Sequence, residues 1–596
     1  MKQGRLFKLR FRRRLKQSQK QAQGYSTQAE RSFDRYVMKR LDRFKPVRRF
    51  VIGWVLLLTV LMLGTILQTF RLSNYYQTLQ PVAGGTYREG IGGTFSTANP
   101  LYASSDIDNS VASLLFAGLF QFNDKNVLVG ELAKNYEVTP NGTVYTVHLK
   151  PGLRWTDGKP LTSADVLFTY QSIQNPDAKS PLRGSWQGIV VTAPNPATVV
   201  FTLPGPLASF PNTMTNGIVP EHLLGKIPAA ELRTADFNTI NPVGSGPFKW
   251  QAIEVTGNEP STAEEQIAML PNTSYVGGTP KLARFIVHAY ADEAKLSRDF
   301  GGGALTGATG LGKPRDGASA NSNVQRHNFL LTAGTYAFFK TTQPVFSDVK
   351  VRQALVQAAD PNDIIKRLSY PTKAVRGPLL QGQLANDPTL VQAKHDTAAA
   401  NSALEAAGWK IGPKGIRVKD KQELTFTLAA TDNPEYRLVS EQLQKQWRAV
   451  GANIKLRLQD VQNFQNTLAY HDYDAVLYGI SIGPDPDVFV YWDSSQSDIR
   501  STNRLNLSEY KNVTADAALE SGRTRLDPAL RTLKYRPFLQ AWQQDAPALG
   551  LYQPRVLYVT NGTVAGINDQ TINTATDRFN NVQNWMIRQA RVTNQK

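Results

Sequence analysis

The sequence predicts a mixed α/β protein of two or three lobes, preceded by one transmembrane helix. Three observations predict it. The chain has 596 residues, more than one hydrophobic core supports, and its 41% hydrophobic content is that of a globular protein. One uncharged apolar run lies near the N-terminus. After it, runs of period two alternate with helix-period runs, and no long linker separates them.

The N-terminal elements come first. Residues 1–50 hold 17 Lys/Arg against 3 Asp/Glu, so +14 of the net charge of +19 sits there. The remaining chain is nearly balanced, so the basicity belongs to a tail and no nucleic-acid partner is expected. The run "FVIGWVLLLTVLMLGTILQTF", Phe50–Phe70, follows. As a helix it spans about 31 Å, the thickness of a hydrocarbon core. The Lys/Arg excess on its N-terminal side predicts residues 1–49 in the cytoplasm and the rest outside. No A-x-A site follows the run, and a cleaved leader with so long a basic region is unusual, so an uncleaved signal anchor is expected. The tail reads as a topology signal and a contact for anionic lipid. The chain has no cysteine, which excludes disulfides, thiolate nucleophiles, Cys-based metal centres and a lipid anchor on cysteine.

Residues 71–84 read as a polar tether. "TVYTVHLK" (Thr143–Lys150) and "ATVVFTL" (Ala197–Leu203) alternate as strands. In "WTDGKPLTSADVLF", Trp155–Phe168, Gly158 and Pro160 mark a turn. Thr162 and Asp165 then have the spacing of a capping box. A helix Ser163–Ile173 is expected, with Val166, Tyr170 and Ile173 on its inner face. "VRQALVQAADPNDIIKRL" (Val351–Leu368) reads as a helix broken at Asp360-Pro361. Two more helices stop at Gly408 and Gly451, the second followed by a strand.

Few segments suggest chemistry. "GATGLGKP", Gly307–Pro314, matches G-x-x-x-x-G-K but has Pro where a phosphate loop needs Ser or Thr; it reads as a flexible surface loop. The six histidines have no metal-ligand spacing, and there is no G-x-S-x-G elbow. No cofactor and no metal are expected. "GPDPDVFVYWDSS", Gly483–Ser495, is the densest cluster of acids and aromatics. It reads either as a stiff loop with Asp caps or as the wall of a binding cleft.

Several blocks, in order over roughly residues 84–590, resemble one family. They are "GGTYREGIGGTFSTANPLYASSD", "VASLLFAGLFQFNDKNVLVGELAKNYEVTPNGTVYTVHLKPGLRWTDGKPLTSADVLFTY", "NPVGSGPFKW", "FSDVKVRQALVQAAD", "YDAVLYGISIGPDPDVF" and "APALGLYQPRVLYV". The family is the extracytoplasmic solute-binding proteins of ABC importers, family 5, the oligopeptide/dipeptide-binding type. The resemblance implies a periplasmic-binding-protein-like clamshell (type II, cluster C-like), monomeric in its binding lobes. Residues 85–290 with 546–596 would form lobe 1, and 291–545 lobe 2. A peptide or peptide-like solute would bind between them and pass to a permease with its ATPases, with no catalysis by this chain. Other readings are a membrane-anchored sensor or envelope scaffold on the same fold, and an anchored hydrolase.

By family position the cleft would be lined by Phe95, Ser96 and Asn99, by Tyr336 and Phe338, and by Tyr478, Ser481, Ile482 and Asp485. For each aromatic, core packing is the equal alternative. Arg376 would meet a ligand carboxylate or lie solvated on the surface. The family's peptide binders hold the ligand ammonium with an acid that here falls on Ile482 or Gly483, leaving Asp485 as the substitute. Residues 255–330 also depart from the family pattern, and an apolar helix replaces the usual lipoprotein cysteine or cleaved signal.

Overall fold

The computed structural model describes residues 47–256, 264–311, 323–501, 504–568 and 570–593. The chain divides into two units, a large one over Pro81–Arg588 and a small one built from the two chain ends.

In the small unit the apolar run forms a helix, Arg48–Tyr76. Within it, Arg49–Thr69 is long and apolar enough to cross a membrane, and its side chains are exposed on all sides. Its hydroxyls are satisfied inside the helix: Thr59 donates to Val55 O (2.7 Å), Thr65 to Leu61 O (3.0 Å) and Thr69 to Thr65 O (2.8 Å). A lone helix needs such bonds in lipid, where no water replaces them. The expected tether 71–84 is not a loose link. The helix continues to Tyr76, and Gln77–Val82 pairs with Arg588–Thr593 in a two-stranded ribbon.

The large unit holds two main sheets. One has eight strands, in the order Thr571–Ile572, Val324–Leu331, Arg555–Asn561, Gly307–Thr309, Thr86–Gly92, Arg284–Tyr290, Glu264–Pro271 and Phe248–Thr256. A four-stranded antiparallel sheet, which includes Val144–Leu149 and Thr198–Thr202, shares its core. The other main sheet has five strands, Asn453–Gln459, Thr425–Thr431, Ala475–Ser481, Ala333–Phe339 and Ala548–Tyr552. Its parallel pairs are joined through the helices Pro434–Ala449 and Val461–Tyr470. A separate hydrophobic cluster lies on each face of this sheet.

The strands move both lobe boundaries from where the sequence suggested. Gly307–Thr309 and Val324–Leu331 find their partners in the first sheet, so the first crossing lies at Thr332 rather than after 290. Ala548–Tyr552 pairs with Ala333–Phe339, so the second lies between Tyr552 and Arg555 rather than at 546. Gln553 Nε2 donates to Leu331 O (3.1 Å), tying the two crossings together.

The local sequence signals hold. Thr162 and Asp165 close a capping box, and the helix runs Ser163–Gln174 with Val166, Tyr170 and Ile173 fully buried. Asp165 also accepts from Glu221 N (3.0 Å), and Asp157 holds His222 at 2.8 Å. Both acids and Trp155 are therefore structural. Asp360 caps Pro361–Arg367, and Gly408 and Gly451 take positive φ where their helices end. "GATG" departs from expectation. It is a buried strand, Gly307–Thr309, not a surface loop. A Cβ at Gly307 would collide with the hydroxyls of Tyr87 and Tyr558 and with the Glu89 carboxylate. That cluster is the reason for the glycine: Tyr558 donates to Glu89 (2.7 Å), and Arg578 pairs with Glu89 at 3.0 Å in full burial. Lys313 and Pro314 lie outside the described residues.

Candidate functional site

A cavity of about 380 Å³ opens in the first lobe, with Pro484 of the second lobe at its edge. The helix Asp106–Leu115, capped by Ser105, offers Asn109, Ala112 and Ser113 to it, positions that share one helical face. Strand Phe120–Phe122 lies alongside. The loop Asn212–Gly217 and the segment Asn573–Asn580 complete the wall. Gly118 lets two of these walls meet: it bridges to Gly217, and a Cβ there would strike the carbonyl of Thr215.

Two carboxyl groups lie in this wall. Glu131 accepts from Tyr275 Oη (2.7 Å) and Gly118 N (2.8 Å). Burial pushes it up to about 7, against the pull of those bonds and of Lys150. Asp577 accepts from Asn573 N (2.9 Å) and from the amide and hydroxyl of Thr574. Burial raises it too. Among the described residues no group of three His, Cys, Asp or Glu is placed to hold a metal.

The lobes touch at a second place. Loop residue Ser209 of the first lobe donates to Asp487 of the second (3.1 Å), and Ala208 N donates to Arg523 O (2.9 Å). Arg523 pairs with the same Asp487 (3.2 Å) and lies over the Phe489 ring at 4.2 Å. Tyr145 holds the loop from behind through Leu207 O (2.8 Å).

Neither the nine residues inferred from family position nor Arg376 line the cavity. Tyr336 and Phe338 are fully buried on one face of their strand against Trp492, which corrects their assignment to the cleft. Asn99 is fully buried and bonded to Asn238 and Leu101. Phe95 is buried beside Trp250, and Ser96 is held by Asp108. Ile482 is buried, and its amide donates to Thr332 O. Asp485 is bound by both guanidinium nitrogens of Arg531 (2.7 and 2.8 Å), so its charge is already paired. Arg376 and Ser481 are exposed, and Tyr478 is half-buried against Phe464. Sequence reasoning missed Asn109, Asn212, Asn216, Asn580 and Glu131. Only Asn109 had a usable signal, its spacing with Ala112 and Ser113 on one helix. The others meet through long-range folding.

Two α/β lobes joined by two crossings, with a cavity in the first lobe that the second borders, define a clamshell solute-binding protein. Residues 127–501 match the middle region of the bacterial extracellular solute-binding proteins, family 5, and this chain belongs to that family. The oligopeptide-binding protein AppA of Bacillus subtilis is 26% identical over 486 residues, 80% of this chain and 87% of that protein. The ABC transporter substrate-binding protein CtaP of Listeria monocytogenes superposes with a TM-score of 0.72 at 25% identity, covering 85% of this chain and 99% of CtaP. NikZ of Campylobacter jejuni, solved in complex with Ni(L-His), gives a TM-score of 0.69 at 25% identity over 84% and 99% of the two chains.

Proposed function

We propose that this chain captures an extracytoplasmic solute, with peptides the leading class, in the first-lobe cavity that the second lobe borders and delivers it to an ABC importer permease. The observation that carries this reading is the cavity itself, walled by amides, hydroxyls and aromatics and bordered by both lobes. A relative named as an oligopeptide-binding protein supports the ligand class. Closing the lobes on a solute adds contacts that the open form lacks, so binding and closure favour each other. No turnover by this chain enters the reading. The helix over Phe50–Phe70 would anchor it, with the tail 1–49 in the cytoplasm and the lobes outside, raising its concentration beside the permease. Among the site residues inferred from sequence, Tyr478, Ser481 and Arg376 stay in the proposal as contacts for a solute longer than the cavity.

The test is native mass spectrometry of the full chain in detergent, with any co-purified solute released and identified. Peptides bound one per chain are expected. A non-peptide solute would keep the binding function and remove peptides as the class. A chain that carries and takes up no solute would favour the sensor or scaffold.

A further inference from the structure

Four asparagines in the cavity wall, Asn109, Asn212, Asn216 and Asn580, are half-buried, and none of their side-chain amides has a hydrogen-bond partner among the described residues. Each carries two donors and one acceptor. They come from three separate stretches of chain, so no single turn accounts for them.

The same wall contains no Lys, Arg or His. Its two carboxyl groups are turned onto the protein: Glu131 on Tyr275 and Gly118, Asp577 on Asn573 and Thr574. Burial favours the uncharged form of both. The acids of the adjoining second-lobe loop are paired as well, Asp485 with Arg531 and Asp487 with Arg523. A charged solute group entering here would lose water, an anion would meet no cation in the wall, and a cation would meet only carboxyl groups already bonded within the protein. Phe116, Phe120, Phe122 and Phe579 give the cavity apolar faces.

We infer, on the solute-binding reading above, that the part of the solute held in this cavity carries no formal charge and is recognised through groups that both donate and accept hydrogen bonds. Peptide backbone remote from its termini has that chemistry, and so has a polyol. A free peptide terminus has not.

Isothermal titration of the full chain in detergent separates the sources. Three probes are used: a randomised tetrapeptide pool acetylated and amidated at its ends, the same pool with free ends, and maltotriose. The expected result is that the blocked pool binds at least tenfold tighter than the free pool. Binding of maltotriose alone supports the uncharged cavity and overturns the peptide class. A free pool that binds as tightly as the blocked pool overturns the inference and leaves the peptide reading standing. Silence from all three overturns both. Asn216→Asp places a charge in the wall. It is expected to weaken the blocked pool at least tenfold with an unchanged melting temperature, and an unchanged affinity would remove the asparagine wall from recognition.

Discussion

At the residue scale, the bonded partner separates two acids that are both buried. Glu89 is an ion-pair partner, enclosed with Arg578 in the first lobe. Arg578→Met leaves that carboxylate buried without its counter-charge. A loss of about 3–5 kcal/mol in unfolding free energy is expected, read by denaturant titration. Glu131 has no cation bonded to it and is pushed up to about 7 from an ordinary carboxylate value of 4.5. The folded protein therefore holds its proton more tightly than the unfolded chain does. Its contribution is most favourable below pH 4.5, declines as pH rises to 7, and is flat above. Over that window the loss is about 3 kcal/mol. Glu131→Gln removes it, so the variant should match the parent at pH 4 and exceed it at pH 8 in thermal unfolding. Equal stability at both would contradict the raised carboxyl.

At the scale of elements, the strand Gly307–Thr309 is the instructive case. Three residues of it slot between Thr86–Gly92 and Arg555–Asn561, where Gly307 has room for no side chain. Gly307→Ala should cost about 1–3 kcal/mol through overpacking, seen as a lowered melting temperature. If the segment were a loop instead, the substitution would leave stability unchanged. The helix Ser163–Gln174 shows the opposite situation. Its capping box, turn and inner face all follow from neighbouring residues, and no distant partner is needed to place its start.

For the whole molecule, the contact of Ser209 and Ala208 with Asp487 and Arg523 links the lobes through residues that are not part of the two crossings. Arg523→Ala removes the ion pair and the stacking on Phe489. Faster solute release and a several-fold weaker affinity are expected, with a larger radius of gyration by X-ray scattering of the solute-free chain. An unchanged release rate would show that the contact plays no part in closure.

By itself the sequence determined what depends on neighbours along the chain. The apolar run, the charge of the tail, the caps at Thr162 and Asp360, and the glycine stops at 408 and 451 are local properties. The family could also be read, because its blocks occur in order. Tertiary structure alone decided where the lobes divide, since a short strand such as Gly307–Thr309 is defined by partners more than 200 residues away. It also decided which polar groups face the cavity. Tyr336 and Phe338 share a strand face with the core, while Asn212 and Asn580 meet across the fold. Alternation along a strand says which residues share a face. What that face packs against is settled only when the sheets assemble.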